Sequence, residues 1–414
     1  MTNSPPDNVN HGEGTHDKER AWNLSGGIDS LVVTINLRWK ETSTPFAKLA
    51  ELKQRAKAAA EDEPTMVSWG TAGSSMHLAV KSHGRSGYEW LLIGSELSIL
   101  LGNWIEPKQR PSAVVTFRAE ALWMYGAKAM VELVQRMFRD MGAQILEVKV
   151  SRIDICADIL IPETAWHKDL NEHFVTRAKK DASYRSSRCL SGFTIGSGDV
   201  TARIYDKPRE IREKSGKHWM FDIWGLPEVP EWHMIVRVEY QIRRAALKQC
   251  GIDTWNDAVN KLGRLWAYCT DKWLRLVDDP ELHHTQQQTL HWWLCVQNGL
   301  TDVQPGSPLV RKPAMKADAR QLGAQSIGTL ASIIALRMSD EEWAAGSTLD
   351  RRSFLRNALD EALRNAGIDE QEFTRRVNRK RAKYQRRPQS SDPTVGDPPD
   401  DSLESGEDSS GNQE

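Results

Sequence analysis

Hydrophobic and polar residues alternate along three segments in the middle of the chain, residues 151–159, 202–207 and 236–243. Because side chains point to opposite faces along a β-strand, this alternation predicts three strands with one apolar and one polar face each. The polar faces carry, in chain order, Arg152, Asp154, Asp158, Arg203, Tyr205, Lys207, Arg237, Glu239, Gln241 and Arg243. Any half-exposed strand alternates in this way. Side by side, however, three such strands would collect carboxylates, a tyrosine and several cations on one face of a sheet.

The rest of the pattern predicts an α+β fold, with an antiparallel-rich central sheet flanked by helices and a small helical C-terminal region. Further strands are predicted at 30–39, 66–69, 75–82, 88–93 and 114–118, with a hairpin that joins 184–195 to 200–206. Helices are predicted at 45–62, 119–141 and 166–180, at 208–210, from 244 onwards and along the tryptophan-rich stretch 255–300. Apolar residues at helical spacing carry the prediction for 119–141.

Composition divides the chain into five regions. They are a disordered N-terminal tail (1–27), the main α+β domain (28–304), a linker rich in Pro, Gly and Lys (305–322), a basic helical region (323–388) and an acidic disordered tail (389–414). Polar segments with few apolar residues cannot bury enough surface to offset the entropy of ordering, which is why both ends are predicted to be disordered.

The charged residues are unevenly distributed along the chain. The 414 residues have a net charge of −1, but residues 389–414 hold eight acidic residues and no Lys or Arg, so the rest of the chain carries +7. Residues 375–387 contain eight basic residues and no acidic residue. A basic helix of this kind contacts nucleic-acid phosphates, or else is an exposed helix end that contacts only water. The candidate DNA-binding residues are Arg375, Arg376, Arg379, Lys380, Arg381 and Lys383.

Cysteine usage and hydropathy indicate a cytoplasmic protein. The five cysteines are scattered and none forms a Cys-x-x-Cys pair, which is typical of reduced thiols rather than of disulfides or a zinc site. The sequence contains no stretch of 18 apolar residues, so no membrane span is predicted. The polar N-terminus lacks the apolar core of a signal peptide.

The polar faces of the three strands suit metal-assisted phosphoryl transfer with a tyrosine nucleophile. Arg203 and Lys207 flank Tyr205 on one strand face, so we expect their positive charges to favour the phenolate. Carboxylates from separate strands supply the oxygen ligands that Mg²⁺ and Mn²⁺ prefer. Arg152 and Arg237 are expected to pair with these carboxylates rather than with substrate.

The order and spacing of these segments resemble the catalytic core of the plasmid rolling-circle replication initiation factor family, the trans-acting Rep proteins, to which relaxases of some integrative elements are related. Residues 152–158 read Arg-Ile-Asp-Ile-Cys-Ala-Asp, a Gly-Ser turn at 195–198 precedes Arg-Ile-Tyr-Asp-Lys-Pro-Arg-Glu at 203–210, and Arg-Val-Glu follows at 237–239. The resemblance spans roughly residues 28–300. It implies that residues 28–304 form a nicking-and-joining domain.

The resemblance implies a role for each matched residue. Tyr205 corresponds to the nicking nucleophile, and Asp154, Glu210 and Glu239 correspond to the ligands of Mg²⁺ or Mn²⁺. Arg203 and Lys207 are expected to stabilise charge on the phosphate oxygens, and Asp158 is expected to support the metal ligands from outside.

The implied activity is cleavage of one DNA strand at an origin. The products are a 5′-phosphotyrosine and a 3′-OH that primes synthesis, and the ends are later rejoined. The implied partners are origin DNA, as a single strand or an extruded hairpin, together with a host helicase and polymerase; the resemblance also allows a homodimer. Two alternatives remain open. One is a relaxase that nicks the transfer origin of a conjugative element, and the other is a non-catalytic DNA-binding protein that uses the basic C-terminal helices.

Overall fold

The computed structural model describes residues 21–58, 65–69, 76–186, 188–300, 307–311 and 368–385, with isolated positions between 326 and 364. The chain divides into two compact units, residues 1–311 with 396–414 and residues 312–395. The predicted acidic tail, most of the predicted linker and the first 20 residues of the predicted N-terminal tail lie outside the described residues.

A large antiparallel sheet dominates the first unit and, with its helices, makes the predicted α+β fold. Its strands are β1 (Trp22–Trp39), β2 (Met66–Trp69), β3 (Met76–Val80), β4 (Trp90–Ile93), β5 (Leu97–Leu101), β6 (Ala113–Phe117), β7 (Ala143–Pro162), β9 (Asp181–Ser186), β10 (Cys189–Ser197), β11 (Val200–Asp206) and β12 (His233–Arg243). The strand order is β2-β3-β4-β5-β6-β1-β7-β12-β11-β10-β9. A separate small sheet pairs β8 (Phe174–Thr176) with β13 (Leu274–Leu276).

The helices of the first unit lie between and after these strands. They are α1 (Phe46–Ala58), α2 (Ala119–Tyr125), α3 (Ala127–Asp140), α4 (Lys207–Glu210), α5 (Met220–Trp224), α6 (Arg244–Gln249), α7 (Trp255–Ala267) and α8 (His291–Gln297). A π-helical turn at 211–215 extends α4, and a second one at 268–273 extends α7. The second unit contributes α9 (Glu370–Gln385).

One face of the sheet is apolar and carries the main core. Alternate residues of the central strands are fully buried there, among them Val33 on β1, Ile155 on β7 and Val238 on β12. The same core includes Val134 of α3 and Trp266 of α7. Burial of each such side chain contributes about 1.5–3 kcal/mol. The period-two pattern of the strands and the amphipathic helices therefore generate one continuous core.

A smaller apolar cluster covers one end of the opposite face. Trp123, Ile211, Met220 and Trp224 pack there with Cys156 of β7 and further side chains of the sheet. These residues come from α2, from the turn after α4 and from α5. The cluster closes part of the sheet to solvent, and the charged residues of the three central strands lie beside it and beneath it.

Three sequence predictions of local structure are wrong. The predicted helix 119–141 is two helices, because Gly126 adopts φ +80° and ends α2. The predicted helix 166–180 is instead a short 3₁₀ segment at 168–173 followed by β8. Leu170 is the one buried residue of that 3₁₀ segment, so no apolar stripe supports a longer helix.

The predicted helix 255–300 is interrupted by β13, which pairs with β8.

The boundary of the predicted N-terminal tail is also corrected. β1 begins at Trp22 rather than at Ser30, and its first residues pair with the far end of β7, as in Trp22 with Leu160. The sequence pattern does not predict this part of the strand, because Gly26 and Gly27 interrupt the alternation of polar and apolar side chains.

We predict that Gly26→Ala destabilises the protein and that Gly27→Ala does not. A Cβ on Gly26 would lie 2.0 Å from the carbonyl oxygen of Gly299, whereas a Cβ on Gly27 would meet the Trp123 ring at 3.5 Å, an ordinary contact. Overpacking of this kind costs about 1–3 kcal/mol. Urea unfolding of both variants checks the prediction, and equal free energies of unfolding would contradict the close approach of β1 to the end of α8.

Candidate functional site

Three adjacent strands bring Asp154, Tyr205 and Glu239 onto one face of the sheet. Lys207, predicted on the same strand as Tyr205, is instead the first residue of α4, because β11 ends at Asp206. β12 lies between β7 and β11, so the three strands are neighbours in one sheet. Cross-strand partners share a face, and Glu239 of β12 is opposite Arg203 of β11. Arg237 is opposite Tyr205 on one side and Asp158 on the other. We call this side of β7, β12 and β11 the polar face.

Glu239 is the centre of the hydrogen bonding around the predicted nucleophile. The Tyr205 hydroxyl donates to Glu239 Oε2 at 3.0 Å. Arg203 Nη1 donates to the other carboxylate oxygen, Oε1, at 3.2 Å, and Arg203 Nη2 donates to Gln241 Oε1 at 3.4 Å. A tyrosine hydroxyl, a proton acceptor and a cation therefore meet at one carboxylate.

The expected stabilisation of a Tyr205 phenolate is wrong. Burial, and then the negative charge of Glu239, raise the pKa of Tyr205 well above its usual value of 10.0. The nearby cations are already paired, because Arg203 faces Glu239 and Lys207 Nζ donates to Glu210 Oε2 at 2.5 Å. Lys207 also lies 5.6 Å from the centroid of the Tyr205 ring. Tyr205, the predicted nucleophile, is a neutral phenol whose hydroxyl donates a hydrogen bond to a carboxylate.

Glu239 binds a proton more readily than an exposed carboxylate does. Burial raises the pKa of Glu239 above 4.5, and the negative charges of Asp29 and Asp154 raise it further against the opposing effects of Arg237 and Arg203. A carboxylate whose pKa is raised in this way is a better general base than an exposed one. The pair of Tyr205 and Glu239 is therefore suited to proton transfer from the hydroxyl to the carboxylate.

The expected pairing of Arg152 and Arg237 with carboxylates is confirmed. Arg152 donates to both oxygens of Asp154, one of them from Nε at 2.8 Å. Burial nevertheless raises the pKa of Asp154 above its usual value, against the effect of Arg152. Arg237 donates to both oxygens of Asp158, from Nε at 2.7 Å and from Nη2 at 2.8 Å. Both side chains of this second pair are 0% exposed.

Asp29 completes the buried pair and was not identified from the sequence. Arg237 Nη1 donates to Asp29 Oδ1 at 2.7 Å, and the Trp123 indole donates to the same oxygen at 3.1 Å. Burial opposes ionisation of Asp29, but Arg237 and Lys217 outweigh it and lower the pKa of this carboxyl. Asp29 falls just before the strand that the pattern predicted. The feature of the sequence that could have identified Asp29 is an acidic residue within an otherwise apolar and glycine-rich segment.

Asp158 has two further donors. The Trp224 indole donates to its Oδ2 at 2.9 Å, and the Ser25 hydroxyl donates to the same oxygen, also at 2.9 Å. Asp158 therefore holds β1, β7, β12 and α5 together from the centre of the sheet. Its role in this structure is to position Arg237, and the expected role as an outer partner of metal ligands is not seen among its contacts.

The predicted metal triad is not assembled in this structure. Within the described ranges, no three His, Cys, Asp or Glu side chains are grouped so that they could hold a metal ion. The physical reason is that cations occupy the predicted ligands: Arg152 binds Asp154, Arg203 binds Glu239 and Lys207 binds Glu210. Ser215 also donates to Glu210 Oε2, at 3.2 Å. Asp154, Glu210 and Glu239 therefore do not fit one divalent ion in this arrangement.

The candidate DNA-binding residues lie on α9, which is helical as predicted. The Asp369 carboxylate caps this helix by accepting from the backbone N–H of Glu372 at 2.6 Å. Arg375 and Arg376 pair with Glu372 at 3.4 and 3.0 Å and remain largely exposed. The side chains of Arg379, Lys380, Arg381 and Lys383 fall outside the described residues, although their backbone belongs to α9.

The chain matches no protein-family model and no curated protein sequence. No helix in the part of the chain that the structure describes is long and apolar enough to cross a membrane. The five cysteines are free thiols, of which Cys189 is exposed and Cys295 is half-buried, while the others are buried.

We predict that Arg237→Leu lowers the free energy of unfolding at neutral pH by about 3–5 kcal/mol, because it leaves Asp158 and Asp29 as buried charges without their partner. The matched control is Arg38→Leu, which breaks the pair with Glu106 whose side chains are 51% and 62% exposed. Loss of an exposed pair costs at most about 1 kcal/mol. Guanidinium unfolding measures both variants, and similar losses would mean that the buried pair contributes no more than a surface pair.

Proposed function

We propose that this protein cleaves and rejoins one strand of DNA through a covalent Tyr205 intermediate, as an initiator of rolling-circle replication. The observation that carries the proposal is the hydrogen bond from the Tyr205 hydroxyl to Glu239, whose other oxygen accepts from Arg203. A nucleophile beside a general base, with the base held by a third group, is the arrangement that covalent catalysis requires. The resemblance of the strand motifs to replication initiation factors supports DNA as the substrate.

In the proposed reaction, Tyr205 Oη attacks the scissile phosphorus while its proton moves to Glu239 Oε2. The new bond joins Tyr205 to the 5′-phosphate, and the bond that breaks is the one to the 3′ oxygen, which leaves as a 3′-OH after taking a proton from water. In the reverse step a 3′-OH loses its proton to water as its oxygen attacks the phosphorus. The bond between the phosphorus and Tyr205 then breaks, and Tyr205 regains its proton from Glu239. The phosphodiester energy is retained in the covalent link, so rejoining needs no ATP.

Charge balance during this step favours the transition state. Once Glu239 accepts the proton it becomes neutral, and Arg203 loses the negative charge that it pairs with in the resting structure. The Arg203 guanidinium can then donate to the phosphate oxygens, where negative charge develops. Lys207, the first residue of α4, lies beside the Tyr205 ring, but its charge is balanced by Glu210. The proton transfer therefore releases a cation at the point of the reaction that needs one.

A requirement for Mg²⁺ or Mn²⁺ remains part of the proposal and rests on the resemblance alone. The steps described above use only groups of the protein, because Asp154, Glu210 and Glu239 are bound to cations rather than grouped around one position. We also assign phosphate contacts to the cations of α9, where DNA would compete with Glu372 for Arg375 and Arg376.

The biological setting follows from the same resemblance. We propose a cytoplasmic protein that works with a host helicase and polymerase at an origin. The same chemistry serves a relaxase at a transfer origin. Replication of a plasmid in a host without another initiator supports the first setting, whereas loss of conjugative transfer alone supports the second.

We predict that the wild-type protein forms a covalent adduct with single-stranded DNA and that Tyr205→Phe forms none. The phenylalanine keeps the ring and removes the attacking oxygen, so binding of DNA is retained. The substrate is a library of randomised single-stranded oligonucleotides with Mg²⁺ or Mn²⁺, and mass spectrometry of trypsin-digested adducts identifies the peptide. An adduct on another tyrosine, such as Tyr184 or Tyr240, would contradict the assignment, and an adduct that persists in EDTA would contradict the requirement for a metal.

We predict that Glu239→Gln slows adduct formation by about 10²–10⁴-fold, the usual contribution of a general base. In the wild type the rate falls as the pH drops through the raised pKa of Glu239, because the protonated carboxyl cannot accept the proton. Glutamine keeps the shape and an accepting oxygen but does not titrate. The variant should lose this acidic limb, and its residual rate should rise with pH as the Tyr205 phenolate forms.

The measurement is the rate of adduct formation across pH for both proteins, with circular dichroism to verify that the variant is folded. A variant that is slower by a constant factor and keeps the acidic limb of the wild type would show that another group accepts the proton.

A further inference from the structure

A row of three residues runs across the sheet from the candidate nucleophile to the edge strand. Tyr205 on β11 is opposite Gly192 on β10, and Gly192 is opposite Tyr184 on β9. Because cross-strand partners share a face, Tyr184 and Tyr205 both belong to the polar face. Their backbones are two strand spacings apart, about 10 Å. Gly192 contributes no side chain between them.

The glycine in this row is required by its surroundings. A Cβ on Gly192 would lie 2.8 Å from the Tyr205 Cβ and 2.7 Å from the Ile204 carbonyl oxygen. The adjacent row also has small side chains on these two strands. Ala182 on β9 is opposite Thr194 on β10, and Thr194 is opposite Arg203 on β11. Small side chains therefore form a shallow floor on β9 and β10, with Tyr184 on one side and the candidate catalytic residues on the other.

Tyr184 is exposed although it belongs to a strand of the sheet. Its side chain is 51% exposed, in contrast to Tyr240, which is 0% exposed in the core. β9 is the last strand in the sheet order. An aromatic ring in such a position contributes little to the core, and it presents one face of a π system to solvent beside the candidate site.

The segment that carries Tyr184 is rich in exposed cations, whose charge is complementary to that of DNA. Residues 177–188 contain five basic residues and one acidic residue, and the exposed cations are Arg177, Lys179, Lys180, Arg185 and Arg188. In the described part of the chain none of these cations is paired with a carboxylate. Arg212 and Lys214, on the turn after α4, are also exposed. Basic grooves that carry an exposed aromatic ring are typical of proteins that bind single-stranded nucleic acid.

We infer that Tyr184 is a stacking platform for a base of the DNA strand that Tyr205 cleaves, and that the floor over Gly192 carries the backbone between them. This inference rests on the proposed function, from which it takes the identity of the bound strand. The backbone of Tyr184 lies about 10 Å from that of Tyr205, two β-strands away. A DNA base stacked on Tyr184 would therefore fix the position of the DNA strand relative to Tyr205. Tyr184 would therefore act as a binding and positioning residue, without a part in the chemistry.

The test measures binding without cleavage. The parent is the full-length Tyr205→Phe protein, and the probe is a fluorescein-labelled oligothymidylate of about 12 nucleotides, followed by fluorescence anisotropy. In this parent, Tyr184→Ala should weaken binding about thirtyfold, in the middle of the range for loss of one stacked base, whereas Tyr184→Phe should remain within about twofold of the parent.

Two controls separate stacking from other effects. Tyr125→Ala removes a tyrosine that is 57% exposed on α2, away from the row, and should leave the affinity unchanged. An abasic strand of the same length offers phosphates without bases, so Tyr184→Ala should bind it as tightly as the parent does. The slope of affinity against salt concentration should also stay the same, because the variant removes no phosphate contact.

Equal affinity of Tyr184→Ala and its parent for oligothymidylate would overturn the inference, and so would an equal loss on the abasic strand. The outcome is independent of the covalent chemistry. An adduct at Tyr205 without an effect of Tyr184 would overturn the platform alone. An effect of Tyr184 without an adduct would support a single-strand-binding groove and would overturn the proposed cleavage instead.

Discussion

The buried guanidinium of Arg237 is the constraint on which the polar face depends. It donates to both oxygens of Asp158 and to Asp29, so one side chain of β12 joins β7 and β1. A buried ion pair adds little net stability compared with an apolar replacement, but it imposes a single arrangement because any slip leaves an unpaired charge in the interior. Side chains alternate along β12, so Glu239 emerges on the same face two residues later, beside Tyr205.

The charges around the site are balanced in pairs, and this balance sets the protonation state of Tyr205. Arg152, Arg203 and Lys207 each face one carboxylate, so none of them has a spare positive charge for the Tyr205 oxygen. Burial then decides the outcome and keeps the phenol neutral. A neutral tyrosine beside a carboxylate with a raised pKa is a resting pair in which proton transfer can follow the arrival of substrate.

The sequence predicted the parts of this site that depend on period and order. Alternation identified β7, β11 and β12 and put Tyr205 and Glu239 each on the polar face of its strand, because a strand has a fixed period of two. That the two polar faces coincide follows from the pairing of β11 with β12. It did not reveal Asp29, which lies in a segment where Gly26 and Gly27 interrupt the alternation. The sign of the pKa shift of Tyr205 was also inaccessible, since it depends on which cations are already paired. Those pairings are properties of three-dimensional packing rather than of spacing along the chain.

On the proposed function, binding of DNA would itself activate the general base. A phosphate that draws Arg203 away from Glu239 removes a positive charge that now lowers the pKa of this carboxyl. The proton affinity of Glu239 would rise at the moment when the scissile phosphorus reaches Tyr205, and Asp29 and Asp154 would continue to raise it from the other side. The resting ion pair between Arg203 and Glu239 therefore couples the presence of substrate to the removal of the tyrosine proton. An unpaired Arg203 would lack this coupling, because its charge would be available to the phosphate without any change at the base.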